Sequence, residues 1–449
     1  MRARRNNHKK ITLSAGVALL TCLLCLSAIQ RLQQAPAVEQ ATGSAQLVSI
    51  AEVPNYGDAC PPWEAGTAEA DLVAGTNTNN VFESFRQASV YAASQASGQT
   101  GDVTRPPVRN LLDTHPIYSS IAIDNLHDEV VMMDSNTWSI RVFNRLDNTP
   151  PNAERTEPKR VISGPKTDIG FHSGVYIDPK TGDISSVEND IGDSISVFAH
   201  GASGDVAPLR QLNVTHRAYS AAVDEAKEEL YVTIQYPPQV EVYRKGASGD
   251  EKPLRVLAGE STRLSDAHGI AIDVQNRLMI VNNWGNISDY RSPGTGRFES
   301  ASITVYPLEA NGDTPPVRVI QGSRTQLNWP GAMSLDPETG DVYVANDMGH
   351  SILVFGRTAQ GNVEPTRVIK GNRTGISYPT GVFVDMKNRE VWASNLGNSS
   401  ATVYPLTANG NVAPLRTIRS APAGKVSLRF GKTQALAYDS RREEILVPN

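Results

Sequence analysis

A Pro-x-Arg triplet recurs along the chain as Pro107/Arg109, Pro158/Arg160, Pro208/Arg210, Pro253/Arg255, Pro316/Arg318, Pro365/Arg367 and Pro414/Arg416. The copies stand about fifty residues apart. A self-similar period of that length restricts the chain to a propeller or a solenoid, in which each unit buries its apolar face against its neighbours. The fullest copy reads Val305-Tyr306, Asn311-Gly312-Asp313, Pro316-Val317-Arg318.

Each unit divides into four strands. Strand a is a run of small and apolar residues ending in Asp, clearest from Gly269 to Asp273; small side chains suit the crowded innermost strand of a propeller blade. That Asp recurs at Asp124, Asp178, Asp224, Asp273, Asp336, Asp385 and Asp439, and opens a tight turn by accepting backbone N–H bonds. Strand b follows, as from Asp341 to Ala345. Strand c alternates and closes on Val plus an aromatic: Val90-Tyr91, Val142-Phe143, Val197-Phe198, Val242-Tyr243, Val305-Tyr306, Val354-Phe355 and Val403-Tyr404. A Gly-Asp or Gly-Asn turn leads into strand d, whose Pro has no N–H to give a ladder and so marks an outer edge strand. The Arg of the triplet reads as structural, its stem covering the blade's outer face.

The two ends are incomplete halves. Val90-Tyr91 and Pro107-Val108-Arg109 supply strands c and d with no a or b before them, while the stretches 435–439 and 444–447 supply a and b with nothing after. The expected fold is therefore an all-β, seven-bladed β-propeller of four-stranded antiparallel blades. Its N- and C-terminal strands close the ring and remove two sheet edges. Six blades is the alternative.

The strand pattern of 269–273, 278–283 and 303–306 resembles the NHL-repeat propellers and the wider group of SMP-30/gluconolactonase-like proteins, over about residues 81–449. The resemblance implies the propeller fold, and a group that includes lactonases, a zinc-dependent peptidylglycine lyase and plain binding domains. NHL domains are usually six-bladed, so a count of seven departs from the pattern.

Ahead of the propeller, Arg2, Arg4, Arg5, Lys9 and Lys10 precede an uncharged, mostly apolar run from Ile11 to Ile29. A spanning helix needs roughly 20 residues, so residues 1–30 read as a transmembrane signal anchor, with a cleaved signal peptide as the rival. Both place the remainder outside the cytoplasm, as a membrane-anchored, periplasmic or secreted protein. Residues 31–80 read as a low-complexity linker and residues 81–449 as the propeller. Cys22 and Cys25 lie in the apolar run and Cys60 stands alone beyond it, so the exported part has no disulfide pair of its own. A net charge of −5 without a concentrated basic face argues against a nucleic-acid partner. The chain is expected to be a monomer that takes a protein or small-molecule ligand, with the membrane reached through the N-terminal helix where that is uncleaved.

Chemistry is expected on the face that carries the d-to-a and b-to-c connections. There stand His172, His268, Glu188, Asn283, Trp284, Asn346 and Asp347, oxygen and imidazole donors able to hold Ca²⁺ or Zn²⁺. His172, His268 and Glu188 are the candidate metal ligands. His268-Gly269 is similar to the His-Gly at inner strands of the lyase branch, where such histidines bind zinc; Asn283 and Asn346 stand in for the Asn ligands of the lactonase branch. The one long insertion, from Asn282 to Ser302, adds Tyr290 and Arg291 to Trp284 as partner-anchoring types. The leading reading is a non-catalytic binding propeller that uses this face; the alternative is a metal-dependent hydrolase, lactonase or lyase.

Overall fold

The computed structural model describes residues 108–109, 111–112, 118–289, 291–292, 294, 296–398, 400–418, 435–439, 441–442 and 444–448. The signal segment, the linker, Val90-Tyr91 and Tyr290 lie outside the described residues. Among the described residues, no helix is long and apolar enough to cross a membrane.

The chain folds blade by blade. Blade 1 holds β1 (Tyr118–Asp124), β2 (Glu129–Asp134), β3 (Ser139–Asn144) and β4 (Arg160–Ile162); blade 2 holds β5 (His172–Ile177), β6 (Ile184–Glu188), β7 (Ser194–Phe198) and β8 (Arg210–Asn213). Blade 3 holds β9 (Ala218–Asp224), β10 (Glu229–Ile234), β11 (Gln239–Arg244) and β12 (Arg255–Ala258). Blade 4 holds β13 (Ala267–Asp273), β14 (Leu278–Asn283), β17 (Ser302–Pro307) and β18 (Arg318–Gln321); its b-to-c insertion is a small hairpin of β15 (Asn286–Ile287) and β16 (Arg297–Phe298). Blade 5 holds β19 (Pro330–Leu335), β20 (Val342–Asn346), β21 (Ser351–Phe355) and β22 (Arg367–Lys370). Blade 6 holds β23 (Pro379–Asp385), β24 (Glu390–Asn395), β25 (Ser400–Pro405) and β26 (Arg416–Ile418). Each of the six blade sheets is an antiparallel four-strand meander in chain order.

The count corrects the expectation of seven: six four-stranded blades are complete among the described residues, and β27 (Ala437–Asp439) with β28 (Glu444–Leu446) forms a two-stranded sheet. Val90-Tyr91, the expected strand c of the remaining unit, lies outside the described residues. The two-stranded sheet touches both blade 6 and blade 1. Its β27 packs on β1, and Tyr438 stacks on Phe383 of β23 with ring centroids 4.9 Å apart.

The repeat signature has a physical account. In blades 1, 3 and 6 the Arg of the triplet reaches from strand d across strand c to an acid that opens strand b: Arg160 to Glu129 in a bidentate pair at 2.7 and 2.6 Å, Arg255 to Glu229 at 2.9 and 2.8 Å, and Arg416 to Glu390. Arg109 makes the same bond to Glu444, at the head of β28. Leu112 then donates its N–H to Thr149 and accepts from the N–H of Thr156, both in blade 1.

The Gly-Asp and Gly-Asn turns latch neighbouring blades rather than merely reversing the chain. Gly204, Gly249, Gly312, Gly361 and Gly410 each form a parallel bridge to strand d of the preceding blade. The next side chain then accepts a backbone N–H there: Asp205 from Lys166, Asp313 from Ser261, Asn362 from Arg324 and Asn411 from Arg373, at 2.7 to 2.8 Å. The aromatic that ends strand c is buried in every complete blade, and the Tyr306 and Tyr404 phenols donate to the carbonyls of Thr262 and Thr374. These contacts hold the blades face to face and leave the connections on one face free to vary.

Candidate binding site on the funnel face

Two positions in each unit form the mouth of the funnel. The residue just before strand a accepts a backbone hydrogen bond from the first residue after strand b: Phe171 from Asn189, Arg217 from Gln235, Asp266 from Trp284, Trp329 from Asp347 and Tyr378 from Leu396, at 2.8 to 3.1 Å. Arg217, Asp266, Trp329 and Tyr378 all sit at positive φ, between 45° and 72°, a region that bulky side chains enter at a cost of about 1 kcal/mol or more. The backbone frame thus repeats while the side chains on it differ from blade to blade, which is how a scaffold presents a recognition surface.

Beneath the mouth lies a polar layer that belongs to the scaffold. Glu188, Asn283, Asn346 and Asn395 end strand b, and each accepts the backbone N–H of the d-to-a connection: from Gly170, Ser265, Asn328 and Ser377. Their remaining polar atoms meet hydroxyls: Ser186 donates to Glu188, while Asn283 donates to Thr304, Asn346 to Ser351, and Asn395 to Ser400 and Thr402. Burial raises the pKa of Glu188, opposed by the Ser186 and Gly170 bonds. The residue types that suggest ligands are here the struts of successive blades.

The two histidines differ. His172 is fully buried, and burial, opposed by the Asp134 backbone and charge, pushes it down to about 4, so it is neutral at physiological pH. His268 is engaged on both sides of its ring: Nδ1 lies 3.0 Å from Asp266 Oδ1, and Gln235 Nε2 lies 3.2 Å from His268 Nε2. Asn189 donates to Gln235, and Tyr236 donates its phenol to Asp266 Oδ2 at 2.7 Å, extending the chain of bonds across blades 2 to 4. Among the described residues, His172, Glu188 and His268 do not form a group of three donors close enough to share one ion.

Aromatic rings cross this network in a continuous rail. Tyr219 leans on His268 at 4.2 Å, His268 stacks on Trp284 at 3.6 Å, and Trp284 stacks on Trp329 at 4.7 Å. Trp284 Nε1 donates to the Pro330 carbonyl, which fixes its plane. The rail surfaces at Trp329, which is 41% exposed.

Asp347 completes the site. Its Oδ1 is buried with no hydrogen-bond partner, and burial pushes the carboxyl up to about 6. Burial, with the charges of Asp266 and Asp347 acting in the same direction, raises Tyr219 to about 12, so both carboxylates act on the inner end of the rail. Arg291 lies apart, exposed and paired with Asp289 in its own loop at 2.8 and 2.9 Å. Of the sequence candidates, the structure brings Trp284 and His268 onto one rail close to Asp347, sets Asn283, Asn346, Glu188 and His172 into the layer below, and leaves Arg291 outside. Trp329, Tyr219, Gln235, Tyr236 and Asp266 were not among them; their signal was position, next to strands a and b in each repeat.

No protein-family model matches the chain, and no curated protein matches it in sequence.

Proposed function

We propose that this is an exported, NHL-like or SMP-30-like propeller, tethered by its N-terminal helix or secreted, that binds a cationic group of a small molecule or protein partner on the funnel face without catalysis. The observation that carries the reading is the unpartnered carboxylate of Asp347 beside an aromatic rail that surfaces at Trp329. A desolvated carboxylate next to an indole face suits an ammonium or guanidinium, which gains both an ion pair and a cation–π contact. Catalysis is left out because Glu188, Asn283, Asn346 and Asn395, the acid and amides below the mouth, are bonded to hydroxyls and to the backbone.

In the same reading the two ends of the propeller segment meet in one sheet. The segment at Arg109 and Leu111 stands with β27 and β28, beside blade 1. The Arg109–Glu444 bond supports it, because it repeats the bond that joins strands d and b in blades 1, 3 and 6.

The test is calorimetric titration of the protein with spermidine and with arginine- and lysine-bearing peptides, against neutral and acidic peptides of equal length. Cationic probes bind, Trp329→Ala and Asp347→Asn each weaken them about tenfold or more, and affinity falls below pH 6 as Asp347 takes up a proton. Equal binding of acidic probes, or indifference to both substitutions, would overturn the proposal.

A further inference from the structure

The opposite face of the disc carries a second arrangement, at the turns that close strand a. In each unit the closing Asp uses Oδ1 to cap the turn; Asp124 accepts the N–H of Leu126 at 2.8 Å and of His127 at 3.1 Å. In four units the second oxygen meets a cation or an amide: Lys245 at Asp178, Asn276 at Asp273, Asn388 at Asp385 and Arg145 at Asp439. In blade 1 it meets an imidazole instead, with Asp124 Oδ2 2.7 Å from His127 Nδ1. The ring of His200, from blade 2, lies parallel to that of His127 with centroids 3.5 Å apart.

We propose that Asp124, His127 and His200 form a site for a divalent transition ion of the zinc type. One donor atom from each lies within 4.8 Å of the others. Two imidazoles and one carboxylate are a donor set that zinc-type ions take, with metal–ligand bonds of about 2.0–2.2 Å. Donors on a tetrahedral ion then stand about 3.4 Å apart. Reaching that spacing opens the Asp124–His127 contact slightly and draws His200 inward, a movement available to two histidine side chains that are 31% and 27% exposed.

Two further features suit an ion. His200 Nε2 lies 3.1 Å from Glu129 Oε2, which leaves Nδ1 as the ligating nitrogen and gives the ring the carboxylate partner that metal-bound histidines commonly have. Glu129 is itself held in place by hydrogen bonds from Lys159 and from both terminal nitrogens of Arg160. Gly182, at φ 76°, closes the third side; a Cβ there would stand 2.5 Å from His127 Nδ1 and 2.6 Å from Asp124 Oδ2. Any side chain at Gly182 would fill the space the ion needs.

The experiment is titration of the full chain with Zn²⁺ by calorimetry and with Co²⁺ by visible absorption at pH 7.5. One equivalent binds, the Co²⁺ spectrum carries only nitrogen and oxygen ligation, and His127→Gln and His200→Gln each weaken binding at least tenfold. Asp347→Asn leaves it unchanged, which separates this site from the funnel face. His200→Gln retains a donor toward Glu129, so unaltered thermal unfolding in the absence of metal shows that its effect is on the ion. Absence of binding, a thiolate charge-transfer band pointing to the cysteines, or affinity indifferent to both histidine substitutions would overturn the assignment.

Discussion

Asp347→Asn is expected to make the protein more stable, and more so as pH rises. The buried carboxyl titrates near 6, against an ordinary value of 3.8, and burial is the cause. A folded-state pKa above the unfolded one means that the native state holds its proton more tightly. The associated stability is fully present below about pH 4 and is lost as pH rises through 6. The shift of about 2 units corresponds to about 3 kcal/mol at most by pH 8, since one unit is worth about 1.4 kcal/mol. An amide of the same shape carries no charge and escapes that loss, so urea unfolding should show the variant about 1 to 3 kcal/mol more stable at pH 8 and equal to the parent at pH 4. The wild-type curve should fall between those two pH values and the variant's should not. If Asp347→Asn were neutral or destabilising at pH 8, the carboxylate would have a compensating partner, and the argument that it waits for a cation would fail.

Three other outcomes follow from the repeat contacts. Glu229 is held at about 2 chiefly by its hydrogen bonds to Arg255, with burial opposing, so its stabilisation is present above pH 4.5 and lost as pH falls through 2. Glu229→Gln should cost about 2 to 3 kcal/mol at pH 7 in urea unfolding, and the difference from wild type should shrink steadily below pH 4.5. Asp313→Ala removes the cap on Ser261 and should cost about 1 kcal/mol, with faster hydrogen exchange of the Ser261 amide and little change in blades 1 and 2. Tyr404→Phe leaves the Thr374 carbonyl without its donor inside the seam of blades 5 and 6 and should cost about 1 to 2 kcal/mol by the same measurement.

Much of this fold is legible in the sequence because its constraints are periodic. Pro at the head of strand d, the aromatic at the end of strand c and the Asp after strand a each answer one local demand, and each is repeated. Their partners are harder to read. The triplet Arg looks like a solvated stem until its acid is found two strands away, and Asp313 looks like a turn residue although the N–H it caps belongs to the preceding blade. The site was the least legible part. Asn283 and Asn346 attract attention as ligand types, yet they stand at the repeating strand-end position that Asn395 shares, where a strut is required. Trp329 and Asp266 lack any motif, because the residue before strand a is the one the frame leaves free. Repeat-to-repeat variation at a structurally constant position would have pointed to them, and similarity between copies pointed elsewhere.

A double-substitution cycle on Arg109 and Glu444, 335 residues apart in sequence, tests most directly whether the two ends of the polypeptide share a blade. Urea unfolding of Arg109→Ala, Glu444→Ala and the pair should give a coupling of about 1 kcal/mol or more, with Arg145 still present in all four proteins. Strictly additive losses would mean that the ends do not meet and that the ring is closed some other way.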